Sequence, residues 1–316
     1  MQKSEIIEQK FTNFAGKIIV IPYIISIQME QNLLRIAIQS KGRLYDDTIG
    51  LLKEAGIKIN RSERALLVRS NNYPLEVLYM RDDDIPKTVA EGMADVGIVG
   101  LNEVMEKDEN IKIVQHLGLS KCRLSIAIPK HAEYTGPQWL DGKRIATSYP
   151  HILKKFLKEH MVKADIYEIT GSVEITPRID LADAIFDIVS SGSTLVTNNL
   201  LEVETVMESD AVVVANKKMS TDKRKTLDEL LFRFQAAIDA QKKKYVMMNA
   251  PKANVEKILS IMPESMKSPT IIPLADNEWC SIHTVLEEKC FWQIIGDLKK
   301  AGAQGILVVP IEKMVS

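Results

Sequence analysis

The stretch Ala182-Asp-Ala-Ile-Phe-Asp-Ile-Val-Ser-Ser-Gly-Ser-Thr-Leu195 decides how this chain reads. Residues 184–189 mix apolar and acidic side chains in the alternation of a strand. They run into Ser190, Ser191, Gly192, Ser193 and Thr194. Glycine takes the positive φ of a tight loop without steric conflict. Successive backbone N–H groups in such a loop form a concavity for anions, and the hydroxyls around Gly192 add donors. Asp187, just ahead of the loop, is placed to accept hydrogen bonds from the hydroxyls of a sugar. A helical pattern is expected from Leu200 onward, and a helix start would add partial positive charge. The residues alone fit two readings, a sugar-phosphate loop and an ordinary Ser-Gly turn.

Outward from this stretch, strand and helix alternate. Toward the N-terminus the pattern predicts strands over 33–38, 77–80 and 94–100. It predicts helices over 44–55 and 85–91, the second with Pro86 in its first turn. Further on it predicts strands over 122–128, 144–147, 166–170 and 212–215, and a helix over 150–159. Such alternation is the signature of parallel α/β sheets. Two lobes of similar size fit, with the chain crossing between them twice. The last part differs. A helix over 226–244 ends in a basic run, which suits the helix dipole. Strand 245–248, helix 255–261, strands 270–274 and 281–286, helix 292–301 and strand 305–310 follow. That β-α-β-β-α-β order is ferredoxin-like.

The 316 residues allow two or three domains. Lys plus Arg, 41, balances Asp plus Glu, 42, so no global field exists to hold a nucleic-acid backbone. Cys122, Cys280 and Cys290 form neither a disulfide framework nor a Cys-x-x-Cys site. They read as free thiols of a reducing cytoplasm. The five histidines contain no His-x-x-x-His pair, which argues against structural zinc. The longest apolar run, 18–27, is interrupted by Pro22 and falls short of the ~20 residues of a membrane span. Glu5 and Glu8 precede it and no small-residue cleavage site follows, so it makes a poor export signal.

The loop and the blocks around it resemble one family. Asp187-Ile-Val-Ser-Ser-Gly-Ser-Thr194 is similar to the phosphoribosyl-pyrophosphate loop of ATP phosphoribosyltransferase, the first enzyme of histidine biosynthesis. Residues 34–44 (Leu-Arg-Ile-Ala-Ile-Gln-Ser-Lys-Gly-Arg-Leu), 81–86 (Arg-Asp-Asp-Asp-Ile-Pro), 95–100 (Asp-Val-Gly-Ile-Val-Gly) and 142–150 (Gly-Lys-Arg-Ile-Ala-Thr-Ser-Tyr-Pro) match the same family in order. So do 171–174 (Gly-Ser-Val-Glu), 244–248, 268–274 and 306–313. The match runs from Leu33 to the C-terminus and resembles the long form of the family, which carries a C-terminal regulatory module. The resemblance implies an α/β fold: a two-lobed catalytic region like the type II periplasmic binding proteins, then a ferredoxin-like βαββαβ regulatory domain. The expected division gives 32–120 and 210–243 to lobe I, 121–209 to lobe II and 244–316 to the regulatory domain. Residues 1–31 are expected to be an N-terminal extension outside the native protein. Family members begin just before the first strand, so the start is expected at Met29.

By the same resemblance, adenine N1 of ATP joins phosphoribosyl pyrophosphate to give N1-(5-phospho-β-D-ribosyl)-ATP and pyrophosphate. Mg²⁺ is the implied cofactor, carried with pyrophosphate, and its protein ligands are left open. Ser190, Ser191, Gly192, Ser193, Thr194 and Leu195 are expected at the phosphoribosyl group, with Asp187 on the ribose hydroxyls. Arg43, Lys41 and Glu174 fall to the catalytic set, and Arg43, Asp95 and Arg123 to ATP. Arginine meets phosphate with a planar fork and lysine as a point charge. Asn249, Thr270 and Ser281 are expected to bind histidine as feedback inhibitor. The implied assembly is a homo-oligomer, dimer to hexamer, in the cytoplasm, with neither nucleic acid nor membrane as partner. Successive Asp82, Asp83 and Asp84 cannot all face one ion and read as solvated or helix-capping. His151, after Pro150, reads as a capping or packing residue. The rival reading is a two-lobed small-molecule binding protein without catalysis, which would have no use for the phosphate loop. A nucleobase phosphoribosyltransferase would place adjacent acids before its loop, whereas Asp183 and Asp187 stand apart.

Overall fold

The computed structural model describes residues 33–62, 64–262 and 269–315. The expected extension, with its start at Met29, lies outside the described residues. Lobe I begins with β1 (Leu34–Gln39), α1 (Arg43–Glu54), β2 (Leu67–Arg69), β3 (Leu75–Met80), α2 (Ile85–Ala90), β4 (Val96–Gly100), α3 (Leu101–Lys107) and β5 (Ile111–His116). The chain crosses to lobe II for β6 (Cys122–Pro129), β7 (Arg144–Thr147), α4 (Pro150–Glu159), β8 (Asp165–Glu168), β9 (Ala184–Val189), α5 (Ser193–Thr197) and β10 (Leu200–Ser209). It returns through β11 (Ala211–Asn216) and α6 (Thr221–Gln241). The last unit is β12 (Lys243–Pro251), α7 (Val255–Ile261), β13 (Thr270–Pro273), β14 (Trp279–Glu287), α8 (Glu288–Lys300) and β15 (Gln304–Pro310).

The first sheet has the order β2-β3-β1-β4-β11-β5, and β1 pairs in parallel with both β3 and β4. Helices cover both of its faces, so its strands are almost continuously apolar. Val213 and Ala215 of β11 pack with Leu227, Leu230 and Phe234 of α6, while Val212 and Val214 face Ile85 and Val89 of α2. The second sheet has the order β10-β6-β9-β7-β8, with β7 parallel to β8 and β9. Ile152, Leu153, Phe156 and Leu157 put the apolar stripe of α4 on its core. The third sheet runs β13-β14-β12-β15, every neighbour antiparallel. Val246, Met248 and Ala250 of β12 pack with Ile258 of α7 and Phe291 and Leu298 of α8. This is an α/β architecture of two lobes in the type II periplasmic-binding arrangement, followed by a ferredoxin-like module.

Two local expectations fail, each for a physical reason. The helical pattern from Leu200 belongs to strand β10, and the helix is the shorter α5 before it. Register shifts between Glu202 and Glu204 and between Thr205 and Met207 insert extra residues against β6. These bulges stretch the period of two, so Val203, Val206 and Met207 reach the lobe II core at helix-like spacing. The expected helix over 226–244 instead starts at Thr221, because the Ser220 side chain accepts from Lys223 N and caps it. It ends at Gln241, so Lys243 and Lys244 lie on β12 and not in a last helical turn.

Candidate active site

In open α/β sheets ligands collect at the carboxyl ends of the parallel strands. In lobe I those ends deliver the loop with Lys41 and Arg43 after β1, Asp82–Asp84 after β3, and Asn102 and Glu103 after β4. In lobe II they deliver Tyr149 after β7, Glu174 in the 3-10 turn Val173–Ile179, and residues 190–194 after β9. Bonds between the lobes set these two edges face to face. Arg43 Nη1 donates to Ser190 Oγ at 2.6 Å, and Nη2 to the Lys121 carbonyl at 2.7 Å. Tyr149 OH donates to Glu103 Oε1 at 3.0 Å.

The loop over residues 190–194 turns through a left-handed glycine. Gly192 sits at φ +77°, the left-handed region, and precedes α5. The Ser191 and Ser193 hydroxyls are 2.9 Å apart. Asp187, Ser190, Ser191, Gly192, Thr194 and Leu195 line a pocket of about 240 Å³ together with Glu174. Burial pushes the Asp187 carboxyl up to about 6; the nearby charge of Glu174 adds to this, and the Ile188 N–H bond opposes it. A larger hollow of about 940 Å³ lies on the outside of lobe II, among Lys154, Lys158 and Lys163. It shares no residue with this chemistry.

Lys41 is exposed at the start of its loop, and Arg43 opens α1 just after Gly42. Asp95, expected at ATP, stands apart from the edges that carry Arg43 and residues 190–194. It stands before β4, at the opposite edge of the sheet, where it accepts from Arg35 N at 2.9 Å and pairs with Lys223 at 2.7 Å. The 6 residues of β1 separate the edges, roughly 20 Å at about 3.3 Å per residue. Arg123, expected at ATP, is engaged within lobe II. Its guanidinium is clasped by both oxygens of Glu202, and Nη1 reaches the Ser190 carbonyl at 3.3 Å. It braces the loop from behind. Ser125 Oγ supports Glu202 at 2.7 Å.

The acidic run divides its side chains. Asp83 pairs with Arg81 at 3.1 Å, and Asp82 accepts from Gln39 at 3.4 Å. Among the described residues no group of three or more His, Cys, Asp or Glu is placed to hold a metal ion. His151 contributes its backbone N–H, which Glu106 accepts at 2.8 Å, while its side chain is exposed.

In the third sheet Asn249 lies opposite Ser281, and Thr270 opposite His283. Directly paired residues share a face, so Asn249, Thr270 and Ser281 come together on the face turned away from α7 and α8. His283 joins them: one ring nitrogen is 3.0 Å from Ser281 Oγ and the other 2.9 Å from Tyr245 OH. Sequence reasoning missed His283, Tyr245, Glu202, Glu103 and Tyr149. The period of two along 279–287 would have put His283 beside Ser281. Tyr149 falls in the matched block 142–150, where no local pattern marks it for a role.

A sequence model described as ATP phosphoribosyltransferase matches residues 81–236, and one described as the HisG C-terminal domain matches 240–313. The ATP phosphoribosyltransferase of Bacteroides thetaiotaomicron is 62% identical over 283 residues, covering 90% of this chain and 100% of that protein. That of Cytophaga hutchinsonii is 52% identical, covering 90% and 99%. Among solved structures, a chain of the ATP phosphoribosyl transferase (HisG:HisZ) complex from Thermotoga maritima matches with a TM-score of 0.57 at 28% identity. It covers 65% of this chain and 98% of that one. One chain thus carries facing lobe edges, a glycine-centred hydroxyl loop and an added ferredoxin-like module, and it belongs to the ATP phosphoribosyltransferase family in its long form, a pentosyltransferase of histidine biosynthesis.

Proposed function

We propose that residues 190–194, with Leu195, hold the 5′-phosphate of phosphoribosyl pyrophosphate, and that Asp187 accepts from its ribose hydroxyls. The reading is carried by one observation: a cationic side chain of lobe I, Arg43, already donates to the Ser190 hydroxyl of lobe II. An anion on the loop would lie between the lobes, within reach of that guanidinium. Adenine N1 attacks C1 of the sugar; the N1–C1 bond forms, the C1–O bond breaks, and its electron pair leaves on pyrophosphate. N1 is the nucleophile, so no strong base is needed. The protein's contribution is alignment and preorganised positive charge where the leaving group gains negative charge. Arg43 and Lys41 supply that charge from lobe I. Arg123 holds the loop through the Ser190 carbonyl.

The donor set fits Mg²⁺, which takes one or two carboxylates plus substrate phosphates and keeps several waters. Glu174, at the rim of the pocket, is the carboxylate that would meet it. When bound with pyrophosphate it neutralises charge on the leaving group.

The open face of the third sheet, with Asn249, Thr270 and Ser281, would take the inhibitor histidine. Residues 244–316 then form the regulatory domain, 32–120 with 210–243 lobe I, and 121–209 lobe II. The same face exposes Tyr245, Ile272, Leu307 and Val309, an apolar surface that favours a homo-oligomer, dimer to hexamer. Among the described residues no helix is long and apolar enough to cross a membrane. A cytoplasmic site of action suits a biosynthetic enzyme that draws on ATP.

The test is pyrophosphate release with ATP, phosphoribosyl pyrophosphate and Mg²⁺, with and without histidine. Release should require both substrates and fall with histidine. Unaltered inhibition in a Thr270→Val, Asn249→Ala double variant would overturn the inhibitor site. Unaltered turnover in Arg43→Ala would overturn the leaving-group assignment.

A further inference from the structure

Helix α3 sends two carboxylates across to lobe II from positions one turn apart. Glu106 Oε1 accepts from His151 N at 2.8 Å, and its Oε2 accepts from Ile152 N at 3.0 Å. These are the first donors of α4. Pro150 opens that helix and has no N–H, and no side chain of Tyr149 caps it. An N-terminus needs acceptors for such orphan donors; here they come from the other lobe. Glu103, buried at 6% exposure, accepts from Tyr149 OH at 3.0 Å and from Asn102 Nδ2 at 3.0 Å. Asn102 is tied to Ser209, the last residue of lobe II before the chain crosses back: its N–H donates to Ser209 Oγ at 3.1 Å, and the Ser209 hydroxyl donates to Asn102 Oδ1 at 2.8 Å. A buried polar chain therefore runs from the crossover at Ser209 through Asn102 and Glu103 to Tyr149. Gly100 makes room for it, since a Cβ there would stand 2.3 Å from Asn102 Oδ1.

The composition of this chain of bonds is not what packing alone would select. Glu103 feels the charges of Asp82 and Asp83 from the turn after β3 and of Lys107 on its own helix. Tyr149 feels Asp187 and Asp82 besides Glu103. Burying a carboxylate near other carboxylates is unfavourable, and an apolar contact between the lobes would avoid it. What the polar contact adds is direction: each bond has one geometry, and those to Tyr149, His151, Ile152 and Ser209 span the lobes.

We propose that Glu103, Glu106 and Tyr149 form an inter-lobe clasp that fixes the angle between the catalytic lobes, with Tyr149 a positioning residue for phosphoribosyl transfer. The proposal rests on the assignment of residues 190–194 as the phosphoribosyl site. That loop lies wholly in lobe II, while Arg43 and Lys41 come from lobe I. Loosening the clasp leaves the loop intact and misaligns it with the lobe I cations. The step affected is turnover, and the binding of phosphoribosyl pyrophosphate is spared.

The experiment compares kcat and the KM for phosphoribosyl pyrophosphate in Tyr149→Phe, Glu103→Ala, Glu103→Gln and Glu106→Ala, each with a thermal melt of the full chain. Tyr149→Phe should lower kcat by about 10- to 100-fold, the scale of an ångström-sized misplacement, with KM within about 2-fold. Glu103→Gln, which keeps an acceptor for the phenol, should recover most of the kcat lost in Glu103→Ala. Glu106→Ala, at a half-exposed position, should give a milder loss of kcat with the same unchanged KM, and it serves if a buried variant fails to fold. Turnover at the wild-type value in Tyr149→Phe or Glu106→Ala overturns the clasp. So does a loss of kcat that follows only the melting temperature, or one that Glu103→Gln does not relieve. A rise in KM without a fall in kcat would instead place Tyr149 in substrate binding. Failure of the loop assignment is separable, since it would show as an unchanged KM in loop variants such as Gly192→Ala.

Discussion

Replacing Gly192 by alanine separates backbone conformation from sterics at the loop proposed to hold the 5′-phosphate. Gly192 has φ +77° and ψ 0°. A Cβ built there finds Val189 Cγ1 at 3.9 Å and nothing closer, an ordinary van der Waals contact. The penalty is therefore conformational, and for an L-residue held left-handed it is roughly 1–2 kcal/mol. The loop flanking Gly192 is exposed, so little packing opposes its relaxation in the free enzyme. The alanine loop should relax before substrate arrives and be forced back when the 5′-phosphate binds. The affinity for phosphoribosyl pyrophosphate then falls about 5- to 30-fold, from 1–2 kcal/mol at 1.4 kcal/mol per decade. Asparagine tolerates the left-handed region better than alanine, so Gly192→Asn should lose less. Gly97→Ala is the contrast: its Cβ would stand 2.6 Å from Ile85 Cγ2 inside lobe I, which should lower the melting temperature. The assay is the KM for phosphoribosyl pyrophosphate at saturating ATP, followed by pyrophosphate release. A wild-type KM in Gly192→Ala, or an asparagine variant worse than the alanine one, would refute the reasoning.

Thr194→Val removes a hydroxyl that lines the loop pocket and should raise the same KM several-fold, about the 1 kcal/mol of one lost hydrogen bond. The ionised Asp187 carboxylate is the form that accepts from ribose hydroxyls; with its pKa pushed up to about 6, affinity should weaken as pH falls through 6, and Asp187→Asn should flatten that limb in a titration of KM against pH. Glu103 is raised from 4.5 to about 7, so its contribution to stability is fully present below pH 4.5 and is lost as pH rises through about 7. The swing is roughly 3 kcal/mol, and melting temperatures of Glu103→Gln should show a flatter profile between those values. A chain ending at Lys242, before β12, should lose inhibition by histidine in the release assay, and inhibition that persists would remove the third sheet from regulation.

Much of the fold was legible because it rests on local signals. Residues 150–159 and 255–261 match their helices to the residue, since an amphipathic stripe and its flanking stops fix both ends. The loop around Gly192 was legible for a similar reason: a glycine between hydroxyls after an alternating strand is a short-range pattern. The failures are long-range. Strand β10 is shaped by bulges against β6, which no reading of 200–209 alone contains. Asp95 looked available because it sits in a matched block, yet its partner Lys223 is 128 residues away. Glu103 and Tyr149 are 46 residues apart, and neither has a pattern that names the other. Asn249, Thr270 and Ser281 fall on one face because β13 and β12 both flank β14, a topology that their scattered positions do not display.

The two arginines beside Ser190 look interchangeable in sequence, and their partners divide the work. Arg123 gives its fork to both oxygens of Glu202, so its charge is already neutralised where it stands. Recruiting it to a phosphate would strand a half-buried carboxylate against an incoming anion, an unfavourable exchange. Arg43 gives Nη1 and Nη2 to a hydroxyl and a carbonyl, both neutral acceptors. A phosphate or pyrophosphate oxygen makes a charge-assisted bond roughly twice as strong as those it replaces. Anion binding should therefore draw Arg43 off Ser190 and leave Arg123 in place. The Ser190 hydroxyl only accepts from Arg43, so its own proton stays available to the substrate while Arg43 turns to the leaving group. It follows that Arg43→Lys, which keeps the charge but loses the fork, should depress kcat, while Glu202→Gln, which frees the fork of Arg123, should disturb the loop and raise the KM for phosphoribosyl pyrophosphate.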